Sequence, residues 1–167
     1  MTCHAAQYHV LLLGVTLLAA GCGREHSRDK PVDSAGSVAA SGALAPVGPP
    51  LAAPARTNAG GSCIIDMVQS YTMSGTLAGT VEIDYRILVA GPCGSPLGTY
   101  DEDWIAHGTF MGTVDGTAGT GAFSYVAGVK AGGDVDGRIA FGQGLTGELL
   151  VQGNFGDGQL SYSGWVR

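Results

Sequence analysis

Val81-Glu82-Ile83-Asp84-Tyr85-Arg86-Ile87-Leu88-Val89 alternates apolar and polar residues with hardly a break. Successive side chains of a β-strand point to opposite faces, so this period of two predicts a half-buried strand with one apolar face. Residues 71–77 alternate less cleanly and are joined to it through Ala78-Gly79, as in a hairpin. Beyond the loop Pro92-Cys93-Gly94-Ser95-Pro96 the pattern returns over residues 98–114, 121–130, 137–141, 147–155 and 159–166. The separators are turn chemistry: Asp115-Gly116, Gly132-Gly133, Asp136-Gly137, Gly142-Gln143-Gly144 and Asp157-Gly158, where glycine supplies the positive φ of tight turns. No helical period intervenes. A meander of seven or eight antiparallel strands in residues 62–167 must hide its edges. The expected fold is therefore all-β, a small antiparallel up-and-down β-barrel. Glycines inside the strands, at Gly108, Gly112, Gly128, Gly153 and Gly164, permit the sharp coiling of a narrow barrel.

Upstream, residues 10–20 read Val-Leu-Leu-Leu-Gly-Val-Thr-Leu-Leu-Ala-Ala. That run has the length of a signal-peptide apolar region and falls well short of the roughly 20 residues that span a bilayer. Leu18-Ala19-Ala20-Gly21-Cys22 resembles the lipobox of bacterial lipoproteins. The resemblance implies cleavage after residue 21, lipidation of Cys22 and attachment to a membrane without a span, since two acyl chains hold a protein stably. Residues 1–9 carry no Lys or Arg, a departure from the usual positive leader. Gly23 follows the cysteine in place of an acidic residue, which by resemblance to Gram-negative lipoproteins favours the outer membrane within the cell envelope. Residues 22–61 are dominated by Ala, Gly, Ser and Pro, with Pro31, Pro46, Pro49, Pro50 and Pro54 spread among them. Such a stretch buries too little to offset its ordering entropy and reads as a disordered linker.

Net charge is -6 with 13% charged residues and 29 glycines, and Lys and Arg nowhere cluster. That balance argues against a nucleic-acid partner. Of 4 cysteines, Cys3 leaves with the signal and Cys22 takes lipid, which leaves Cys63 and Cys93. A remaining pair in an exported chain suggests a disulfide. Two free thiols are one alternative. Half of a metal site is the other, and it finds only His107 as a further soft ligand in the expected barrel.

Gly108-Thr109-Phe110, then 114–123 (Val-Asp-Gly-Thr-Ala-Gly-Thr-Gly-Ala-Phe), Gly144-Leu145-Thr146-Gly147-Glu148-Leu149, Gly153-Asn154-Phe155 and Tyr162-Ser163-Gly164-Trp165 together resemble a bacterial domain family of unknown function whose members are similar to the allene oxide cyclase barrel. The likeness covers residues 71–166. It implies the barrel, and beyond it a lumen in which shape steers a hydrophobic substrate. No catalytic residue carries over, because the matched positions are glycine-spaced fold signatures.

Polar residues on an inward face would mark a site. Glu82, Asp84 and Arg86 share one face of their strand, and Glu148, Gln152 and Asn154 share one face of theirs; Glu82, Asp84, Arg86, Arg138, Gln152 and Asn154 are the candidate ligand-binding side chains. Glu148 and His107 are the first candidates for a general acid or base. The plainer reading has them facing water while Val81, Ile83, Tyr85, Phe123, Tyr125, Ile139, Phe141, Leu149, Val151 and Phe155 fill the core. Asp101-Glu102-Asp103 and Asp134-Val135-Asp136-Gly137 have Ca2+-type carboxylates without EF-hand spacing. No zinc, phosphate-loop, nucleophile-elbow or dinucleotide motif is present, so no metal or cofactor is expected. The function expected is a membrane-anchored envelope lipoprotein whose barrel binds a small apolar ligand or a protein partner without catalysis. A cyclase-like or isomerase-like enzyme using the same lumen, and a structural lipoprotein with a solid barrel, are the alternatives.

Overall fold

The computed structural model describes residues 36–167. The expected signal peptide (1–21), Cys22 and the first part of the expected linker lie outside the described residues. The strands run β1 Val38–Pro46, β2 Ala55–Ala59, β3 Ser62–Gly75, β4 Leu77–Val89, β5 Glu102–Val114, β6 Thr117–Val129, β7 Asp134–Gln143, β8 Gly147–Asn154 and β9 Leu160–Val166, with a single 3-10 turn at Phe155–Asp157. No α-helix occurs among the described residues.

The sheet order is β1-β9-β8-β7-β6-β5-β4-β3-β2, and β1 also pairs with β3. Eight antiparallel strands therefore close a barrel, and β2 lies outside it along the free half of β3. The all-β up-and-down barrel expected from the period-two pattern is what forms. Alternation holds along β4, where Val81, Ile83, Tyr85, Ile87 and Val89 are buried and Glu82, Asp84, Arg86 and Leu88 are exposed.

The linker expectation needs correction at its C-terminal half, because β1 is one stave of the barrel. Ala40 and Leu44 point inward and are buried, and β1 is paired on both sides, Val38 with Val166 of β9 and Gly42 with Gly75 of β3. Composition misled here because small inward residues, which look too weakly apolar to fold, are the ones a narrow barrel can accommodate. Past Pro46 the chain keeps alongside β3 through Val47 N–H to Ser70 O and Leu51 N–H to Val68 O, and β2 then pairs residues 55–59 with 66–62.

Two turns also differ from expectation. Ala78-Gly79 lies within β4, and the chain reverses instead at Gly75-Thr76, with Gly75 at φ 105°. Asp136-Gly137 lies within β7, the reversal falling at residues 130–133. Gly137 is inward and has no side chain because a Cβ there would press on the Tyr125 ring and Ala127.

The barrel has two unlike ends. At the first, where β1 begins, Phe110, Phe123 and Phe141 stack edge to face with centroids 6.5 and 5.3 Å apart. Tyr162 passes beneath Gly42, where a Cβ would collide with it, and locks the seam. Its hydroxyl accepts from Leu77 N–H at 2.9 Å and shares its proton between the carbonyls of Ser74 and Leu77. At the second end lie the long loop of residues 90–101, the β6–β7 turn and the 3-10 turn. These are tied together by Gly132 N–H to Gly98 O and Phe155 N–H to Gly133 O. The Cys63–Cys93 disulfide, one of the readings open at the sequence level, pins the long loop to β3.

Candidate functional site

Inward residues near the second end do not fill their space. A partly enclosed cavity of about 150 Å3 opens there, walled by Leu44 and Pro46 of β1, Met67, Gln69 and Tyr71 of β3, Tyr85 and Ile87 of β4, and Trp104 of β5. Leu97 of the long loop, Phe155 and residues 158–160 complete its rim. β1 begins at the opposite end of the barrel, with Val38 paired to Val166, and runs toward the cavity. The volume is below the roughly 300–1,000 Å3 of drug-sized pockets. It matches that of an engineered apolar cavity of about 150 Å3 that takes benzene, which sets the scale at a single ring or a compact head group.

Its polar groups are few and placed by strand parity. Gln69 sits on the inward face of β3, is buried and lines the cavity; its Nε2 donates to Gly48 O at 3.2 Å and Ser70 O at 2.9 Å, which leaves the side-chain carbonyl as its remaining acceptor. Tyr85 donates to the Tyr71 hydroxyl at 2.9 Å, which leaves the Tyr71 proton free to donate. Gln69 and Tyr71 are two residues apart on one strand face, so their Cα atoms stand about 7 Å apart along β3. Burial pushes the Tyr85 phenol well above its ordinary value, and the neighbouring Tyr71 and Tyr125 add to that. Burial also raises Tyr71, partly opposed by its hydrogen bond with Tyr85. Both phenols thus stay protonated and offer no base at neutral pH.

The rings are in mutual contact. Tyr85 meets Trp104 nearly at right angles with centroids 5.5 Å apart, Tyr71 lies 6.4 Å from Tyr85, and Phe155 lies 6.2 Å from Trp104. Behind them Glu102 is buried at 3% exposure, and both its oxygens accept hydrogen bonds, one from Gly98 N–H and the other from Trp104 Nε1–H at 2.7 Å.

The residues singled out from sequence lie elsewhere. Glu82, Asp84, Arg86, His107, Arg138, Glu148 and Gln152 all project from the outer wall. His107 Nε2 is 3.7 Å from Asp84, Arg138 is 3.4 Å from Glu148, and Arg86 is 2.8 Å from Asp66, each pair largely exposed. The structure thus places His107 beside Asp84 and Glu148 beside Arg138 on the outer wall and brings neither to the lumen. Arg138 and Gln152 flank a shallow outer groove over Gly128, with Ile105, Val126 and Leu150 beside them. Asn154 caps the 3-10 turn, accepting from Gly156 N–H, and its amide donates to Gly132 O and Asp134.

The acidic run is divided by strand alternation: Asp101 faces out to Lys130 and the Ala131 N–H, Glu102 faces in, and Asp103 faces out. Those two bonds hold the Asp101 carboxyl below its usual range, the backbone N–H being the larger cause. Among the described residues no group of three or more His, Cys, Asp or Glu is placed to hold a metal ion. Sequence reading passed over Gln69, Tyr71, Trp104 and Phe155 as a site because aromatic residues at inward positions look like core. Gln69, a polar residue in phase with Ile65, Met67 and Met73, was the one available signal.

No protein-family model matches the chain, and no curated protein matches it.

Proposed function

We propose that this chain is a lipid-anchored protein of the cell envelope whose barrel binds a small, largely apolar molecule, without catalysis, in the cavity at the end opposite the start of β1. The observation that carries the binding reading is the aromatic cavity bearing one acceptor, Gln69, and one donor, Tyr71. Its titratable lining groups are phenols held protonated by burial, which favours binding over acid–base chemistry. The likeness of residues 71–166 to allene oxide cyclase-like domains is in keeping with a ligand held inside the barrel. The lipobox-like run ending at Cys22 supports the anchor and an outer-membrane location.

Two measurements test the two halves. Expressed in a Gram-negative host, the full chain is expected to incorporate labelled palmitate and to fractionate with the outer membrane. Cys22→Ser is expected to abolish both, and unchanged labelling in that variant overturns the anchor. Native mass spectrometry of the detergent-released protein is expected to show a small retained molecule, lost in Tyr71→Leu. A bare mass after incubation with envelope extract overturns the ligand reading in favour of a solid barrel.

A further inference from the structure

Resting on the reading of the cavity as a binding site, we infer that its ligand is a small organic cation of the methylated-ammonium class, held by aromatic faces. Four aromatic side chains, Tyr71, Tyr85, Trp104 and Phe155, line one cavity of about 150 Å3 in a chain whose whole complement is 2 Trp, 6 Tyr and 4 Phe. Neighbouring rings are inclined at 59°, 80° and 35°, so they form an angular wall around the space where parallel stacking would give a flat one. Ring quadrupoles attract cations over their faces, Trp most strongly, and angular sets of rings are the usual receptors for quaternary ammonium groups.

The charges nearby point the same way. Among the described residues no Lys or Arg lines the cavity, so a carboxylate or phosphate ligand would be buried there without a counter-charge from them. Lys130, the cation closest in sequence to this end of β6, is engaged on the outside with Asp101 at 2.9 Å. Glu102, by contrast, brings a buried carboxylate to the indole edge of Trp104, and that bond polarises the indole and adds negative potential to the wall. Gln69 lines the cavity with its Nε2 already donating twice, so its carbonyl is the group left to meet the hydroxyl or the methylammonium face of such a ligand. The net charge of -6 favours the approach of cations. A methylated ammonium is compact and weakly hydrated, so it loses less on entering than a primary amine does.

The test compares choline with 3,3-dimethylbutan-1-ol, its neutral isostere, by isothermal titration of the detergent-released full chain. Choline is expected to bind at least about tenfold more tightly, the preference that one or two cation–π contacts supply. Glu102→Gln is expected to reduce that ratio severalfold, weakening choline more than the neutral isostere. Trp104→Leu is expected to weaken choline by about tenfold and the isostere by less. Glu102→Gln keeps the shape of the side chain but can accept only one of its two hydrogen bonds, so the choline-to-isostere ratio of the unaltered chain decides the assignment should either variant fail to fold. Equal affinity for the two probes overturns the cationic assignment and leaves the apolar-ligand reading standing. Binding of neither, with a different molecule retained in native mass spectrometry, overturns this inference alone, and a bare mass as well overturns both.

Discussion

Two buried tyrosines show how much depends on a single hydroxyl. Tyr162 is fully hydrogen-bonded at the seam, accepting from Leu77 N–H and donating to carbonyls of the β3–β4 turn. Removing that oxygen leaves Leu77 N–H buried without a partner, so Tyr162→Phe is expected to destabilise the barrel by about 1–3 kcal/mol. The Tyr125 hydroxyl is buried with no hydrogen-bond partner among the described residues. Tyr125→Phe removes an unpaid desolvation cost and is expected to be neutral or stabilising by up to about 1 kcal/mol. Urea denaturation of the two variants checks both signs, and equal destabilisation would contradict the hydrogen-bond assignments.

At the scale of elements, the position of β1 makes a sharp forecast about boundaries. Residues 62–167 contain every strand that the alternating pattern marks, yet without β1 the barrel is open between β3 and β9. A chain beginning at Ser62 is expected to aggregate or remain unfolded, with two unpaired edges, whereas one beginning at Gly36 is expected to fold. Near-ultraviolet circular dichroism of the two fragments decides the matter. The Cys63–Cys93 link spans 30 residues and ties the long loop, which carries Leu97, to β3. A Cys63→Ser, Cys93→Ser double variant is expected to lose about 3.5 kcal/mol on the chain-entropy model. Because the loop contributes to the cavity rim, ligand affinity is expected to fall in the same variant.

For the molecule as a whole, the aromatic interior sets an alkaline limit. Tyr71, Tyr85 and Tyr125 all have pKa values raised above 10.0 by burial. A raised phenol gives stability that is complete below its unfolded value and is lost as pH climbs beyond it, because only the unfolded chain then releases the proton. Stability is accordingly expected to be flat up to about pH 10 with respect to these groups and to fall above it. Urea midpoints across that range, with tyrosinate absorbance, test this; buried phenols that ionise before unfolding would contradict it.

The sequence by itself determined the barrel class, the residues that share a face along each strand it marked and the cysteine pair able to bridge, because strand parity and glycine turns are local properties of a chain; which face turned inward it left open. It also showed that Glu82, Asp84 and Arg86 share one face of their strand, and offered their exposure to water, with that of Arg138, as one reading. It did not reveal β1, whose small residues acquire meaning only inside a narrow lumen, nor the place of the β3–β4 turn, which is fixed by the Gly42–Gly75 seam between strands more than thirty residues apart. The cavity was decided by tertiary structure alone. Whether Tyr71, Tyr85, Trp104 and Phe155 fill the lumen or leave room among them depends on how four distant segments and one pinned loop meet at one end. Parity along any one strand carries no information about the volume left between strands.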